Sequence, residues 1–337
     1  MIQKNLTTRE KKEFGKNLLK IKMNRRAIIF GIKKHKLTTE EKRLFKKDKP
    51  WGIILFSRNI KNITQLKLLV LDIKKFFKDK KYPILIDQEG GRVSRLNKIV
   101  DLSHFSQDFF GDLYLKDKKL FLYYYKNHIN KICEIFRMTG ININTVPVLD
   151  IRRKKSHNII GNRSFSEKTN VVSDMGRHCI NLYKKNKIGT VVKHIPGLCL
   201  SKSDSHFKTP IIKASKNSLE KRDFITFKRC KSLFAMTGHA IYSKYDAYNT
   251  ATHSKIVINK VIRNHINFKG LLISDDISMK SLKFDLKKNA LMALEAGCNL
   301  VLHCNGKIGE MSKLIKIIPK IDKFTQKKTS HFYNFLG

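Results

Sequence analysis

The sequence predicts an α/β protein folded as a single-domain (β/α)8 TIM barrel, and three observations predict it. Eight short apolar runs recur along the 337 residues, separated by segments of helical period, which is the alternation of a parallel sheet covered by helices. With 41% apolar residues, a chain of this length can bury the core of one large domain. Polar or ionisable residues follow nearly every run, at the strand ends where barrels build their sites.

In chain order, the runs at 27–31, 52–56, 84–86, 141–146, 189–192, 233–236, 270–273 and 299–302 are rich in Ile, Val, Leu and Phe and are expected strands. Apolar residues at three- and four-residue spacing predict helices over 64–77, 119–138, 166–186, 218–231 and 255–266. The strand ends then carry Ser57, Arg58 and Asn59; Asp87, Gln88 and Glu89; Asp150; Lys193 and His194; Thr237 and His239; Asp275 and Asp276; and His303. Residues 1–25 form a basic N-terminal extension ahead of a barrel domain over 26–337. Phe14, Leu18, Leu19 and Ile21 give the extension a faint amphipathic stripe, expected as a frayed or surface-docked helix. A single domain is expected, with no second one after Cys304.

A net charge of +43 raises the question of a nucleic-acid partner. The excess is spread along the chain, and 55 of the 70 basic residues are Lys, whereas base and phosphate readout favours the planar fork of Arg. No specific nucleic-acid partner is expected, only nonspecific adhesion to polyanions at low salt. No apolar leader opens the chain and the apolar stretches are short, so a soluble cytoplasmic protein with no membrane partner is expected, as a monomer. The six cysteines show neither a CxxC pair nor zinc-ligand spacing and are expected as free thiols. No cofactor or metal is implied.

Asp204 and His206 suggest an acid/base pair, because a carboxylate two residues from a histidine can orient its ring and stabilise its charged form. Asp275 and Asp276 end an apolar run, as a buried strand does when it delivers a carboxylate to a pocket. One of the two is a candidate nucleophile and the other a cap for the helix that follows. Glu89 and Arg92 are expected to form an ion pair or to position their loop. Gly90 and Gly91 belong to a tight turn, since no GxGxxG or GxxxxGKS motif accompanies them. His239 and His303 lack a carboxylate at ligand spacing and are expected to make hydrogen bonds.

The segments GIILFSRN, ILIDQEGGRVSRL, ININTVPVLDI, IIGNRSFSE, KHIPG with DSH seven residues on, MTGHAIY and LLISDDISMK occur in this order from about residue 26 to 310. In them the chain resembles the bacterial β-N-acetylhexosaminidases of glycoside hydrolase family 3, of the single-domain NagZ type that works in peptidoglycan recycling. The resemblance implies a retaining exo-hydrolase that removes terminal β-1,4-linked N-acetylglucosamine from anhydro-muropeptides, in the service of cell-wall biogenesis, cell shape and division. It implies Asp275 as nucleophile, His206 as general acid/base and Asp204 as its partner. It also implies Asp87, Arg95, Arg163, Lys193 and His194 as holders of the amino-sugar ring.

The chain departs from the pattern at Leu198 and Cys199, where the family reads His-Gly, and at Gly31, where it tends to place an acidic residue. Two alternatives follow. A histidine acid/base repels phosphate less than a carboxylate does, which admits a β-N-acetylglucosaminide phosphorylase. A loop altered at Leu198 and Cys199 admits a decayed protein that binds sugar or polyanions without turnover.

Overall fold

The computed structural model describes residues 24–153, 160–198 and 209–337. Eight parallel strands close into a barrel: β1 (Arg26–Gly31), β2 (Pro50–Leu55), β3 (Ile84–Ile86), β4 (Ile143–Asn144), β5 (Gly189–Ile195), β7 (Phe234–Thr237), β9 (Leu271–Asp276) and β10 (Leu300–His303). Their order around the barrel is β1-β10-β9-β7-β5-β4-β3-β2. Two further short strands, β6 (Ile211–Ile212) and β8 (Ile241–Tyr242), pair in parallel outside the barrel. All eight expected runs are barrel strands. Each is walled on one face by the barrel interior and on the other by helices, which is why runs such as Ile28, Ile29 and Phe30 read as continuously apolar.

Two strands differ usefully from expectation. β5 continues through Lys193 and His194 to Ile195, so its last polar residues are held by the sheet. β4 holds only Ile143 and Asn144. Beyond it Pro147 has no N–H to give, and only an isolated bridge from Val148 to Lys193 continues the pairing.

The outer helices start where the sequence supplies caps. Thr38 and Glu41 form a capping box for helix Thr39–Lys47. Asn62 caps Ile63–Phe76, Asp117 caps Lys118–Thr139, and Asp285 caps Leu286–Ala296. Gly140 ends Lys118–Thr139 in the left-handed conformation at φ 86°, which an L side chain resists. Helix Thr169–Lys185 begins three residues later than expected, because the Ser164 hydroxyl donates to the carbonyls of Asp150 and Ser166 and holds that stretch as a turn. The expected helix over 218–231 is interrupted by a π-turn at Leu219–Asp223, and that over 255–266 is π-helical from Val257 to His265.

The C-terminal helix, Lys323–Leu336, lies at the N-terminal end of the barrel. Its Phe332 packs on Phe234 with ring centroids 5.2 Å apart, and Trp51 meets the other side of Phe234 at 5.8 Å. The same end buries Arg25, 3% exposed, between the rings of Tyr82 and Tyr333. With that end plugged by aromatic rings, the C-terminal strand ends are the face left to carry a site. No described helix is long and apolar enough to cross a membrane.

Candidate active site

At the C-terminal ends of β3, β4 and β5 the chain assembles a polar wall around one ammonium group. Lys193, 2% exposed, donates to Asp87 Oδ1 at 3.1 Å and to Thr145 Oγ1 at 2.9 Å, and lies 2.6 Å from Glu89 Oε1. Arg163, from the short turn Gly161–Arg163, grips Glu89 with two parallel bonds, Nε to Oε2 at 2.8 Å and Nη2 to Oε1 at 2.9 Å. Thr145 also donates its hydroxyl to Asp87 Oδ1.

Burial alone would raise both carboxyls, but the paired cations outweigh it. Lys193 and Arg95, with the Thr145 hydrogen bond, hold Asp87 well below the usual carboxylate range. Arg163 and Lys193 hold Glu89 at about 2. The Arg163 guanidinium is raised in turn, Glu89 overcoming the opposing effect of burial.

His194, in β5, is 5% exposed. Its Nδ1 lies 2.6 Å from Asp150 Oδ2, and its Nε2 lies 3.4 Å from Arg163 Nη2. The peptide joining Lys193 to His194 is cis. Arg95 places Nη2 3.5 Å from Asp87 Oδ2 and stands over the Phe56 ring, and its buried Nε has no hydrogen-bond partner among the described residues. That leaves a donor for a ligand beside Asp87.

β9 stands four places from β3 in a closed ring of eight, directly across the mouth. It delivers Asp275 and Asp276, and the two differ. The Asp276 carboxylate accepts the Ser278 N–H at 3.0 Å and the Ser278 hydroxyl at 2.8 Å, and the Asp276 carbonyl lies 3.0 Å from His239 Nε2. Asp276 therefore closes a turn rather than capping a helix: the next helix, Leu286–Ala296, takes its cap from Asp285. Asp275 accepts the Asp276 N–H at 2.7 Å and is partly exposed, with one oxygen free of hydrogen bonds among the described residues.

Both walls act on one space. Burial, and then the charges of Asp276, Asp87 and Asp275, raise the Cys304 thiol well above its usual value. Burial lowers His239 against the opposing pull of Asp275. The other ring nitrogen of His239 lies 2.7 Å from the Thr252 hydroxyl, and His303 Nε2 lies 2.9 Å from Glu310, so both histidines make the hydrogen bonds expected of them.

Six of the expected site residues thus lie around one mouth: Asp87, Arg95, Arg163, Lys193, His194 and Asp275. Asp204 and His206 lie outside the described residues, as does Cys199. Leu198 is buried, its N–H bonded to Asp150, and its methyl lies close against Gly238. An apolar side chain at 198 is thus packed into the core. Glu89 orders Arg163 and Lys193, so positioning is its observed part, while Arg92 reaches the Ile160 carbonyl. Sequence reasoning missed Thr145, because a β-branched residue in an expected strand carries no sign that its hydroxyl bonds a carboxylate.

The family model described as the glycosyl hydrolase family 3 N terminal domain matches residues 12–330. A β-hexosaminidase of Actinobacillus pleuropneumoniae serotype 3 is 31% identical over 304 residues, 85% of this chain and 83% of its own length. One from Neisseria meningitidis serogroup C is 31% identical over 285 residues, covering 82% and 78%. Among solved structures, NagZ from Neisseria gonorrhoeae in complex with N-trifluoroacetyl-D-glucosamine superposes with a TM-score of 0.83 at 28% identity, over 92% of this chain and 90% of that one. The barrel, the paired walls of its mouth and these matches agree: the chain belongs to glycoside hydrolase family 3, in its bacterial β-N-acetylhexosaminidase type.

Proposed function

We propose that the protein is a retaining exo-β-N-acetylhexosaminidase. The observation that carries this reading is an available carboxylate, Asp275, directly across the barrel mouth from a wall of ordered, charged hydrogen-bonding groups. In this reading Asp87, Arg95, Arg163, Lys193 and His194 hold the hydroxyls of a terminal N-acetylglucosamine by charge-assisted hydrogen bonds. The Asp275 oxygen attacks the anomeric carbon as the bond to the leaving oxygen breaks, and His206, oriented by Asp204, gives its proton to that oxygen. Water then adds to the same carbon and displaces Asp275, with His206 as the base that takes the water proton. The names of the relatives support a hexosaminide substrate, and the resemblance narrows it to N-acetylglucosaminyl anhydro-muropeptides, in cell-wall recycling. The five described cysteines are all free, which suits a reducing cytoplasm.

The test is hydrolysis of 4-nitrophenyl β-N-acetylglucosaminide by the purified protein and by Asp275→Ala, with and without phosphate. Turnover independent of phosphate and at least about 10³-fold lower in the variant is expected. Phosphate-dependent turnover would replace hydrolysis by phosphorolysis. Equal background from both proteins would leave a sugar-binding protein.

A further inference from the structure

The carboxylate of Asp150 lies against three hydrogen-bonding groups beside the mouth. Its side chain is fully buried. Oδ2 accepts the His194 backbone N–H at 3.1 Å and lies 2.6 Å from His194 Nδ1, while Oδ1 accepts the Leu198 N–H at 2.6 Å. One carboxylate therefore spans both ends of the segment from His194 to Leu198, whose middle is closed by a bond from the Gly197 N–H to the His194 carbonyl at 2.8 Å.

These contacts select a tautomer. A carboxylate beside Nδ1 requires a proton there. On the far side of the ring, the Arg163 Nη2 that lies 3.4 Å from Nε2 can only donate. A neutral ring with Nδ1–H satisfies both neighbours. The other tautomer would set a lone pair against the carboxylate and an N–H against the guanidinium.

We propose that Asp150 is a positioning residue for the reaction. It acts through His194, fixing the imidazole with Nδ1 protonated, so that the single Nε2 lone pair, which rests 3.4 Å from Arg163 Nη2, is the acceptor that a substrate hydroxyl takes over on binding. This rests on the hexosaminidase reading for the identity of the ligand, but the tautomer it assigns does not. The logic is that of a buried Asp orienting a histidine elsewhere in enzymology, where Asp→Asn preserves shape and installs the wrong tautomer.

The test has a spectroscopic arm and a kinetic arm. In ¹⁵N-histidine spectra of the whole protein, with His194 assigned by its loss in His194→Gln, the wild type is expected to show a protonated Nδ1 and a bare Nε2. In Asp150→Asn, whose amide donates towards Nδ1, the proton is expected on Nε2. On 4-nitrophenyl β-N-acetylglucosaminide, Asp150→Asn is expected to raise KM at least tenfold. It should change kcat/KM less than twofold when added to His194→Gln, because both substitutions remove the same interaction. A wild-type ring protonated on Nε2 overturns the proposal even if the variant does not fold. So do independent, multiplying losses in the double variant. Absence of any wild-type turnover would count against the hexosaminidase reading, while the ring spectrum would still decide the role of Asp150.

Discussion

Gly31 ends β1 where the family tends to carry an acidic side chain, and the structure supplies a reason local to this chain. A Cβ built there would collide with the Cys304 carbonyl oxygen and come within 2.8 Å of Arg58 Nη2. Arg58 itself is fixed by bonds to the carbonyls of Ile32 and Cys304 and stands over the Phe56 ring. The rim above the first strand is thus closed by backbone and a guanidinium. Gly31→Ala is expected to destabilise the fold by about 1–3 kcal/mol through overpacking against backbone that cannot yield. A thermal midpoint unchanged from wild type would show that β1 and β10 can move apart there. The residue scale also shows where a sequence stops speaking. Asp87, Lys193, His194 and Asp275 were legible because each interrupts or follows an apolar run. Glu89 was not legible as the group that orders the cations, since its main partner Arg163 lies 74 residues away. Asp150 was visible only as one more polar strand end.

At the scale of elements, the eight strands were legible because burial on both faces leaves no polar alternation to blur them. The irregular helices were not. A π-turn such as Leu219–Asp223 keeps a helical apolar pattern within one turn, so periodicity alone cannot separate it from an α-helix. The C-terminal helix depends on contacts that periodicity also cannot foresee. Trp51 Nε1 donates to Thr329 Oγ1 at 2.9 Å, Lys81 Nζ to the Tyr333 carbonyl at 3.0 Å, and Tyr333 its hydroxyl to Asp79 Oδ2 at 2.5 Å. Asp79 also pairs with the buried Arg25, which donates to the Trp51 carbonyl as well. Asp79→Ala would strand the Arg25 guanidinium without its carboxylate, with an expected loss of about 3–5 kcal/mol. Replacing both, as Arg25→Met with Asp79→Leu, is expected to recover most of that loss, since no charge is then left buried. Chemical denaturation of the three proteins measures it, and a double variant no more stable than Asp79→Ala would assign the effect to packing.

For the whole molecule, the balance of 70 basic against 27 acidic residues makes acid conditions unfavourable, and the histidines packed in apolar surroundings decide where the loss begins. His128 lies among Phe105, Phe110 and Tyr125, its ring 4.9 Å from that of Phe110, and burial lowers it from 6.5 to about 4. Burial, with the charge of His239 behind it, lowers His253 to about 4 as well. A histidine that resists protonation only when folded binds its proton more readily in the unfolded chain, so stability rises with pH across the interval. The contribution is complete above pH 6.5 and is lost as the pH falls from 6.5 towards 4; for His128 it is on the order of 3 kcal/mol at most. The depressed carboxyl of Glu89 runs in the same sense but lower, its contribution present above pH 4.5 and lost only as the pH falls towards 2. Acid destabilisation should therefore begin near pH 6.5, well before Asp87 and Glu89 are protonated. His128→Phe keeps an aromatic ring in the cluster and removes one of these titrations. Its thermal midpoint is expected to fall less than that of the wild type between pH 7.5 and 5, while its response between pH 4.5 and 3 stays parallel. Identical slopes for the two proteins over the upper interval would mean that His128 is protonated in the folded state, and the acid sensitivity would then have to come from the cationic surface as a whole.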